Sequence, residues 1–334
     1  MPPSAEIEIL PLPEVPPELK EAARIGTVVP FIGAGVSQLA GCPGWDAFAS
    51  NALKFFVENG DISYAKFDQI SRLSARVKLS LATELERVYK RRIKFGNLLK
   101  PNQTRIDVWQ RVHSGLSKLG NTFVTTNYDE LLDTLPLGQF SPKDVGHSES
   151  EPTNNRHPIF NINDINVSAL SIPNAVIHIH GSVLNSDSMV LTTKDYLERY
   201  SSHRIDGATP EENPFLTFLE ELFDKKTVLF FGYGLQELEI LEYVIQKAGH
   251  KRGTQGQRET PKHFVIQGYF SHEVEVANTM KSYFLEFGIG LLPFLRDNND
   301  WGQLENVIEH LAREAPVSAL LASQKRLDME ALLQ

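Results

Sequence analysis

The feature that most constrains the fold of this chain is a set of four short apolar runs, each of which ends in glycine or in small polar residues. The runs are continuous rather than alternating, which is typical of strands that are buried on both faces of a sheet. Stretches with a helical pattern separate them. Strands that alternate with helices predict an α/β fold with a Rossmann-like, mostly parallel sheet and an additional helical module. The four runs and their ends read VVPFIGAGVS, FVTTNYDE, VIHIHGS and LFFGYGL.

The chain is predicted to contain an N-terminal arm and one larger domain. The arm, residues 1–26, is rich in proline and ends in a short helix, and it either packs on a neighbouring subunit or is loosely held. Residues 27–334 form the larger domain, which contains a helical insertion at about 50–119 and a long polar loop excursion at about 137–173. Further helices are predicted to begin near Asp129 and to span residues 235–248.

Composition and charge exclude several classes of function. A net charge of -9 at pH 7 argues against a surface that binds nucleic acids by bulk electrostatics, so no direct nucleic-acid binding is expected. Cys42 is the only cysteine, so neither an intramolecular disulfide nor a cysteine zinc site can form. The first residues lack the pattern of a signal peptide, and no apolar run is long enough for a membrane span. A cytoplasmic protein that does not bind membranes is therefore expected.

The four runs should bring their polar ends together. In a parallel sheet the carboxyl ends of the strands share one edge, and ligands bind beyond that edge. Gly33 and Gly35 follow the first run, where glycine would let a phosphate approach the main chain, and Ser37 could add a hydroxyl group. A purely structural turn explains this glycine pair about equally well. Gly232 and Gly234 repeat the pattern after the last run.

The two middle runs end in side chains that suit catalysis. Thr126, Asn127 and Asp129 supply more short hydrogen-bonding groups than packing requires, although Asn127 could simply cap a helix. His178 and His180 are two residues apart, so both lie on the same face of a strand. Only His180 reaches the end of the strand. His178 is therefore interpreted as a core histidine and His180 as a candidate for chemistry.

In this order, the motifs GAGVS, TNYD, HG and GYGL resemble the signature of the sirtuin family, and most of all its bacterial branch of NAD-degrading defence effectors. The resemblance runs from about residue 27 to residue 294 and implies a sirtuin-like NAD-binding domain that needs no metal for its chemistry. It implies that Asn127 orients the nicotinamide ribose or an attacking water and that His180 is the general base. The NAD-binding residues that it implies are Gly33, Ala34, Gly35, Ser37, Trp45, Asp46, Thr126, Asp129, Gly232, Tyr233, Leu235 and Gln267.

Departures from the family pattern bear on the reaction. Deacylating sirtuins carry a four-cysteine zinc ribbon, which this chain cannot build, so no zinc is expected. Asp46 stands where the family has arginine, Thr126 where deacylases have glutamine, and Gln267 where asparagine is usual. These differences argue against the acyl-lysine groove of a deacylase. Water then becomes the default acceptor, and a cationic nicotinamide leaving group needs little acid assistance.

The leading hypothesis is an NAD glycohydrolase that releases nicotinamide and ADP-ribose as the effector of an anti-phage abortive-infection system. Since a constitutively active enzyme of this kind would kill its host, control by assembly into a homo-oligomer and by a separately encoded partner is expected. By family analogy the partner is a HerA-like ring ATPase or, alternatively, an Argonaute-type protein. Two other hypotheses stay open: a non-catalytic nucleotide-binding subunit of a larger complex, and an ADP-ribosyltransferase or deacylase.

Overall fold

A seven-stranded parallel sheet forms the centre of the chain. The computed structural model describes residues 8–136, 156–201, 203–205, 210–234 and 260–317. The strands of the sheet are β1 Val28–Ile32, β2 Phe123–Thr125, β3 His157–Ile159, β4 Ala175–His178, β7 Thr227–Phe231, β8 His263–Tyr269 and β9 Ile289–Leu295, while β5 His203–Ile205 and β6 Pro210–Glu212 form a separate antiparallel pair. The order in the sheet is β3-β4-β2-β1-β7-β8-β9, and every pairing in it is parallel. The predicted α/β, Rossmann-like fold class is therefore confirmed.

Helices precede, separate and follow these strands in the described part of the chain. They are α1 Pro17–Arg24, α2 Ala34–Leu39, α3 Trp45–Glu58, α4 Tyr64–Ser71, α5 Ala75–Tyr89, α6 Phe95–Leu98, α7 Ile106–Leu119, α8 Thr193–Tyr200, α9 Pro214–Lys225, α10 Val274–Glu286 and α11 Gln303–Glu314. Short 3₁₀ turns add to them, among which Asp300–Gly302 directly precedes α11. None of these described helices is both long and apolar enough to cross a membrane.

The helices cover both faces of the sheet. On one face, α9 and α10 pack against alternate strand residues such as Phe31 and Ile177. On the other face, α1, α7 and α11 pack against the intervening residues, such as Ile32 and Val176. The central strands β1 and β7 are buried along their whole length, because both of their faces are covered. This burial explains why their sequences are continuous apolar runs.

Four helices, α3 to α6, form a module with an apolar core of its own. Phe48 and Phe56 of α3 and Leu79 of α5 are buried in this core. Tyr128, which follows β2, packs in the same core and so joins the module to the end of the sheet. Helix α7 belongs to the predicted insertion of about 50–119 by sequence, but it packs on the sheet. The module therefore lies beside the carboxyl ends of the strands.

Two local predictions differ from the structure. Residues 157–159 lie within the stretch predicted as a long loop, yet they form β3 and pair with β4 at the edge of the sheet. A strand of three residues that contains Pro158 is too short to show a periodic pattern. Residues 129–136 form turns rather than a helix, because the carboxylate of Asp129 accepts a hydrogen bond from the amide of Leu131 (3.2 Å). Residues 137–155 and the helix predicted over 235–248 lie outside the described residues.

The described part of the N-terminal arm packs on its own chain. The amide of Leu295, at the end of β9, donates a hydrogen bond to the carbonyl of Leu10 (2.9 Å). The side-chain amide of Gln303 donates to the carbonyl of Pro11 (2.8 Å). The arm thus covers part of an edge strand and the start of α11. Assembly through this arm stays a prediction.

Candidate functional site

The four strands that carry the sequence motifs are neighbours in the sheet, in the order β4-β2-β1-β7. Because they are parallel, their carboxyl ends meet at one edge. The residues that follow them therefore come together at this edge: Gly33 after β1, Asn127 after β2, His180 after β4 and Gly232 after β7. This edge is where the sequence predicts a ligand site.

The two glycine turns at this edge pack against each other. Gly232 has a φ of +60°, in the left-handed region that favours glycine. A Cβ atom on Gly33 would lie 2.5 Å from the carbonyl oxygen of Gly232, and one on Gly35 would lie 2.9 Å from the Cα of Gly232. The amides of Gly33 and Gly35 donate to the carbonyls of Phe231 (2.8 Å) and Gly232 (2.9 Å). Contact between the turns thus requires glycine here, and phosphate binding at these amides stays a prediction.

A buried hydrogen-bond network connects Asn127 with the first glycine turn. The side-chain amide nitrogen of Asn127 donates to the carbonyl of Gly33 (3.1 Å) and to Oγ of Ser37 (2.9 Å). The hydroxyl of Ser37 in turn donates to Oδ2 of Asp129 (2.8 Å). Both amide protons of Asn127 are therefore used, and its Oδ1 is buried without a partner among the described residues. The network fixes the orientation of this amide and leaves an acceptor oxygen free.

A cavity of about 30 Å³ lies against this network. Ser37, Thr126, Asn127 and Asp129 supply its polar lining, and Oγ1 of Thr126 also lacks a partner among the described residues. Burial raises the pKa of Asp129, although the hydrogen bonds from Ser37 and from the Leu131 amide oppose this shift. The volume corresponds to about one water molecule. The cavity is therefore rich in acceptor oxygens but too small for a nucleotide.

Aromatic and sulfur-containing side chains close the cavity on the side of the helical module. Trp45, at the start of α3, stacks on Tyr128 with ring centroids 5.7 Å apart, and both residues line the cavity. Cys42 also lines it, and its thiol contacts the carbonyl of Leu99 (3.2 Å). Burial and, next, the charge of Asp129 raise the pKa of Cys42 to about 12. A thiol with so high a pKa is not a nucleophile near neutral pH.

The two histidines at the end of β4 have different partners. His178 is fully buried, with Nδ1 2.9 Å from the carbonyl oxygen of Asn127 and Nε2 2.9 Å from Oδ1 of Asp133. His180 is also buried, with Nε2 2.8 Å from the hydroxyl of Tyr200 and Nδ1 3.5 Å from that of Tyr196. His180 is not among the residues that line the cavity. The predicted base is thus at the correct edge but is enclosed by α8.

A family model described as a SIR2-like domain matches residues 121–287, which is half of the 334-residue chain. The chain belongs to the SIR2-like family. No curated protein matches it. A SIR2-like domain implies the use of NAD, so the chain is assigned in general terms to NAD-dependent enzymes. The matched range includes the TNYD, HG and GYGL motifs and begins after the GAGVS motif.

Other predicted NAD-binding residues of the SIR2-like chain lie away from the cavity. Asp46 forms an ion pair of 2.5 Å with Lys78. The side chain of Lys78 is buried, and its ammonium group also donates to the hydroxyl of Ser50 and to the main-chain carbonyl of Ser71. Tyr233 packs in the apolar core of the sheet. The side-chain oxygen of Gln267, on β8, accepts a hydrogen bond from the hydroxyl of Tyr269 (2.8 Å), and Leu235 lies outside the described residues. Among the described residues, no group of three or more His, Cys, Asp or Glu side chains could hold a metal ion.

Sequence reasoning missed several residues that shape the site. Asp133 contacts His178, and Tyr196 and Tyr200 of α8 contact His180. Trp301 donates from Nε1 to the carbonyl of Gly35 (2.7 Å), although 266 positions separate the two residues. These contacts depend on tertiary structure. The one local signal is the pair of histidines in HIHG, of which the sequence predicts only the second, His180, to act in chemistry.

Proposed function

We propose that this chain is an NAD glycohydrolase that converts NAD and water into nicotinamide and ADP-ribose. The observation that carries the proposal is the unpaired, buried Oδ1 of Asn127, held at the end of the sheet of a SIR2-like domain. An acceptor that is buried without a partner is costly, at about 1–3 kcal/mol, unless a ligand or a water molecule completes it. On this proposal, Oδ1 of Asn127 accepts a hydrogen bond from the substrate or from the attacking water.

The acceptor oxygens of the cavity suit the cleavage of a pyridinium–ribose bond. As that bond breaks, its electron pair returns to the nicotinamide nitrogen and the ribose carbon gains positive charge. Oδ1 of Asn127, Oγ1 of Thr126 and the carboxyl group of Asp129 would lie near this charge and favour it, since preorganised dipoles stabilise charge that develops in a transition state. Oδ1 would also accept a hydrogen bond from the attacking water and so direct a lone pair of the water oxygen at the ribose carbon.

The attacking water must lose a proton once its oxygen has bonded to the ribose carbon. His180 is our candidate for the group that receives this proton, because it lies at the same edge of the sheet. Burial, followed by the charges of Arg199 and Arg76, lowers the pKa of His180 to about 3. Such a histidine is unprotonated but weakly basic at neutral pH. The proposal therefore requires His180 to be released from α8 when NAD binds.

The small cavity supports control of the enzyme by assembly or by a partner. Pockets that bury ligands usually enclose about 300–1,000 Å³, whereas this cavity encloses about 30 Å³. On this proposal the pocket enlarges only when the enzyme is activated, so that the effector does not exhaust NAD in an uninfected cell. We include in the proposal an anti-phage abortive-infection role, a homo-oligomer, and activation by a HerA-like ring ATPase or an Argonaute-type protein.

The test is incubation of the purified protein with NAD, alone and with each candidate partner, followed by chromatographic identification of the products. Nicotinamide and ADP-ribose in equal amounts are expected, and Asn127→Ala should lower the rate at least about 100-fold. Asn166→Ala is a matched control, because Asn166 only caps a 3₁₀ turn (Val167–Ser171) away from the cavity. Binding of NAD without cleavage would favour the non-catalytic subunit, and transfer of label from NAD to protein would favour an ADP-ribosyltransferase.

A further inference from the structure

His178 makes two hydrogen bonds that together connect a carboxylate to the main chain of Asn127. The side chain of His178 is fully buried, and each ring nitrogen lies 2.9 Å from one oxygen atom. The oxygen beside Nδ1 is the carbonyl of Asn127, which can only accept, so Nδ1 carries a proton and donates it. The oxygen beside Nε2 belongs to the carboxyl group of Asp133. The imidazole therefore bridges two fixed oxygens.

Asp133 is itself held in place by the edge of the sheet. Its side chain is buried, and its main-chain carbonyl accepts a hydrogen bond of 2.7 Å from the amide of Arg156, directly before β3. The guanidinium group of Arg156 donates to the carbonyl of Asn121 (3.0 Å) and to the hydroxyl of Ser117 (2.8 Å). The carboxyl group of Asp133 thus rests on a part of the molecule that is anchored to α7 and to the start of β2.

We propose that Asp133 and His178 are a positioning pair for Asn127. The carboxyl group of Asp133 holds the imidazole of His178, and the imidazole holds the main-chain carbonyl of Asn127, whose side chain presents Oδ1 to the cavity. The effect of the pair on NAD rests on the proposed function of Asn127. The pair itself does not, because it is defined by two contacts that exist without NAD.

With this pair, the main-chain amide, the side chain and the main-chain carbonyl of Asn127 are each held by a hydrogen bond. The amide of Asn127 donates to Oγ1 of Thr125 (3.0 Å), and its side chain is fixed by Gly33 and Ser37. The hydrogen bond from His178 is the remaining contact, and it fixes the peptide plane between Asn127 and Tyr128. Without it, this plane could rotate and Oδ1 would move with it. A displacement of about 1 Å at a reacting group can cost about 100-fold in rate.

The charges around His178 favour a protonated imidazole. Burial is the largest single influence and lowers the pKa of His178, but the hydrogen bond and charge of Asp133, the carbonyl of Asn127 and the charge of Asp129 together raise it above its ordinary value. A doubly protonated ring donates to both of its partners at once. Asp133 and Asp129 are the charged groups that act on His178, and both are carboxylates.

The first test compares Asp133→Asn, which is nearly isosteric, and His178→Gln with the wild-type protein in NAD cleavage. We expect kcat to fall by about 10-fold to 100-fold while KM changes by less than about 2-fold, because orientation rather than binding is lost. His263→Gln is a matched control, since His263 is a buried histidine at the start of β8 that accepts one hydrogen bond from Val228. Equal kcat values per folded molecule for all three variants would overturn the proposal.

The second test does not depend on activity. The ring nitrogens of ¹⁵N-labelled histidines are followed by NMR from pH 5 to pH 9, with Asp133→Asn used to assign His178. Both nitrogens of His178 should stay protonated above the pH at which an ordinary histidine titrates. Asp133→Asn should lower the pH at which His178 loses its second proton. A titration that Asp133→Asn leaves unchanged would overturn the pair. Intact titration behaviour in a wild-type protein that leaves NAD uncleaved would instead contradict the proposed function alone.

Discussion

Two histidines at the end of β4 sit in environments of opposite charge. His178 and His180 are two residues apart and both are buried, and burial alone lowers the pKa of a histidine. In His178, burial is outweighed by neighbouring acceptors, above all Asp133, and the pKa is raised. In His180, burial is reinforced by Arg199 and Arg76, and the pKa falls to about 3. The sign of the neighbouring charge therefore decides which histidine carries an extra proton.

This difference separates a supporting histidine from a reactive one. His178 donates to the carbonyl of Asn127 and is held by Asp133, so it has no free lone pair with which to accept a proton. His180 is unprotonated, and its Nε2 lies beside the hydroxyl of Tyr200. Release of His180 from its buried position would return its pKa toward the ordinary value of 6.5, where general bases work well. We therefore expect His180 to act as the general base and His178 to hold Asn127 in position.

The largest expected effect concerns the reactive histidine. His180→Gln should lower the rate of nicotinamide release by about 10²-fold to 10⁴-fold, the usual contribution of a general base. The measurement is product chromatography under activating conditions. His113→Gln is the control, because His113 is a buried histidine of α7 whose pKa burial likewise lowers to about 3. Cleavage by His180→Gln at the rate of the control would remove His180 from the mechanism.

The second effect concerns the free energy of unfolding, for which we expect the substitution of His178 to cost more than that of His180. His178→Gln leaves the buried carboxyl group of Asp133 without its partner, so we expect a loss of about 3 kcal/mol in the free energy of unfolding. His180→Gln removes a hydrogen bond to a neutral hydroxyl, for which about 1 kcal/mol is expected. Urea unfolding at pH 7 measures both. An equal or larger loss for His180→Gln would contradict the view that His178 belongs to a charged pair.

The third effect is a pair of opposite pH dependences. The folded-state pKa of His180 is depressed, so its contribution to stability is present above about pH 6.5 and is lost as the pH falls toward 3. The folded-state pKa of His178 is raised, so its contribution is present below about pH 6.5 and is lost as the pH rises through the folded value. The stability difference between wild type and each Gln variant should therefore change in opposite directions, by at most about 1.4 kcal/mol per pH unit. Parallel curves from unfolding at pH 4 to 9 would show that both histidines titrate alike.

The fold was largely predictable from the sequence because its central strands are buried on both faces. Continuous apolar runs such as Val28–Ile32 and Thr227–Phe231 reveal such strands directly. The edge strand at 157–159 was not predictable, because three residues with a proline carry no pattern. The turn at Asp129 was missed because a side-chain hydrogen bond to Leu131 competes there with a helix.

The candidate site was predictable only where its residues follow strands. Asn127, Ser37 and Asp129 are adjacent to strand ends in sequence, and the structure brings them into one network. The partner of His178 was not predictable, because Asp133 is 45 positions away and its approach depends on how the chain turns after β2. The same holds for the contact of Trp301 with the first glycine turn. Local sequence therefore predicts which groups face the edge, but not which groups support them.

The smallest expected effect tests whether α8 restrains His180. Tyr200→Phe removes the hydroxyl 2.8 Å from Nε2, whereas Tyr196→Phe removes the more distant hydroxyl, 3.5 Å from Nδ1. If the Tyr200 contact holds His180 away from substrate, its loss should raise the basal rate of NAD cleavage by about 5-fold, which corresponds to about 1 kcal/mol for one hydrogen bond. Tyr196→Phe should change the rate less, because a hydrogen bond at that distance is weak. A slower Tyr200→Phe enzyme would instead mean that the hydroxyl orients His180 for catalysis, so α8 would be part of the active site and not a restraint on it.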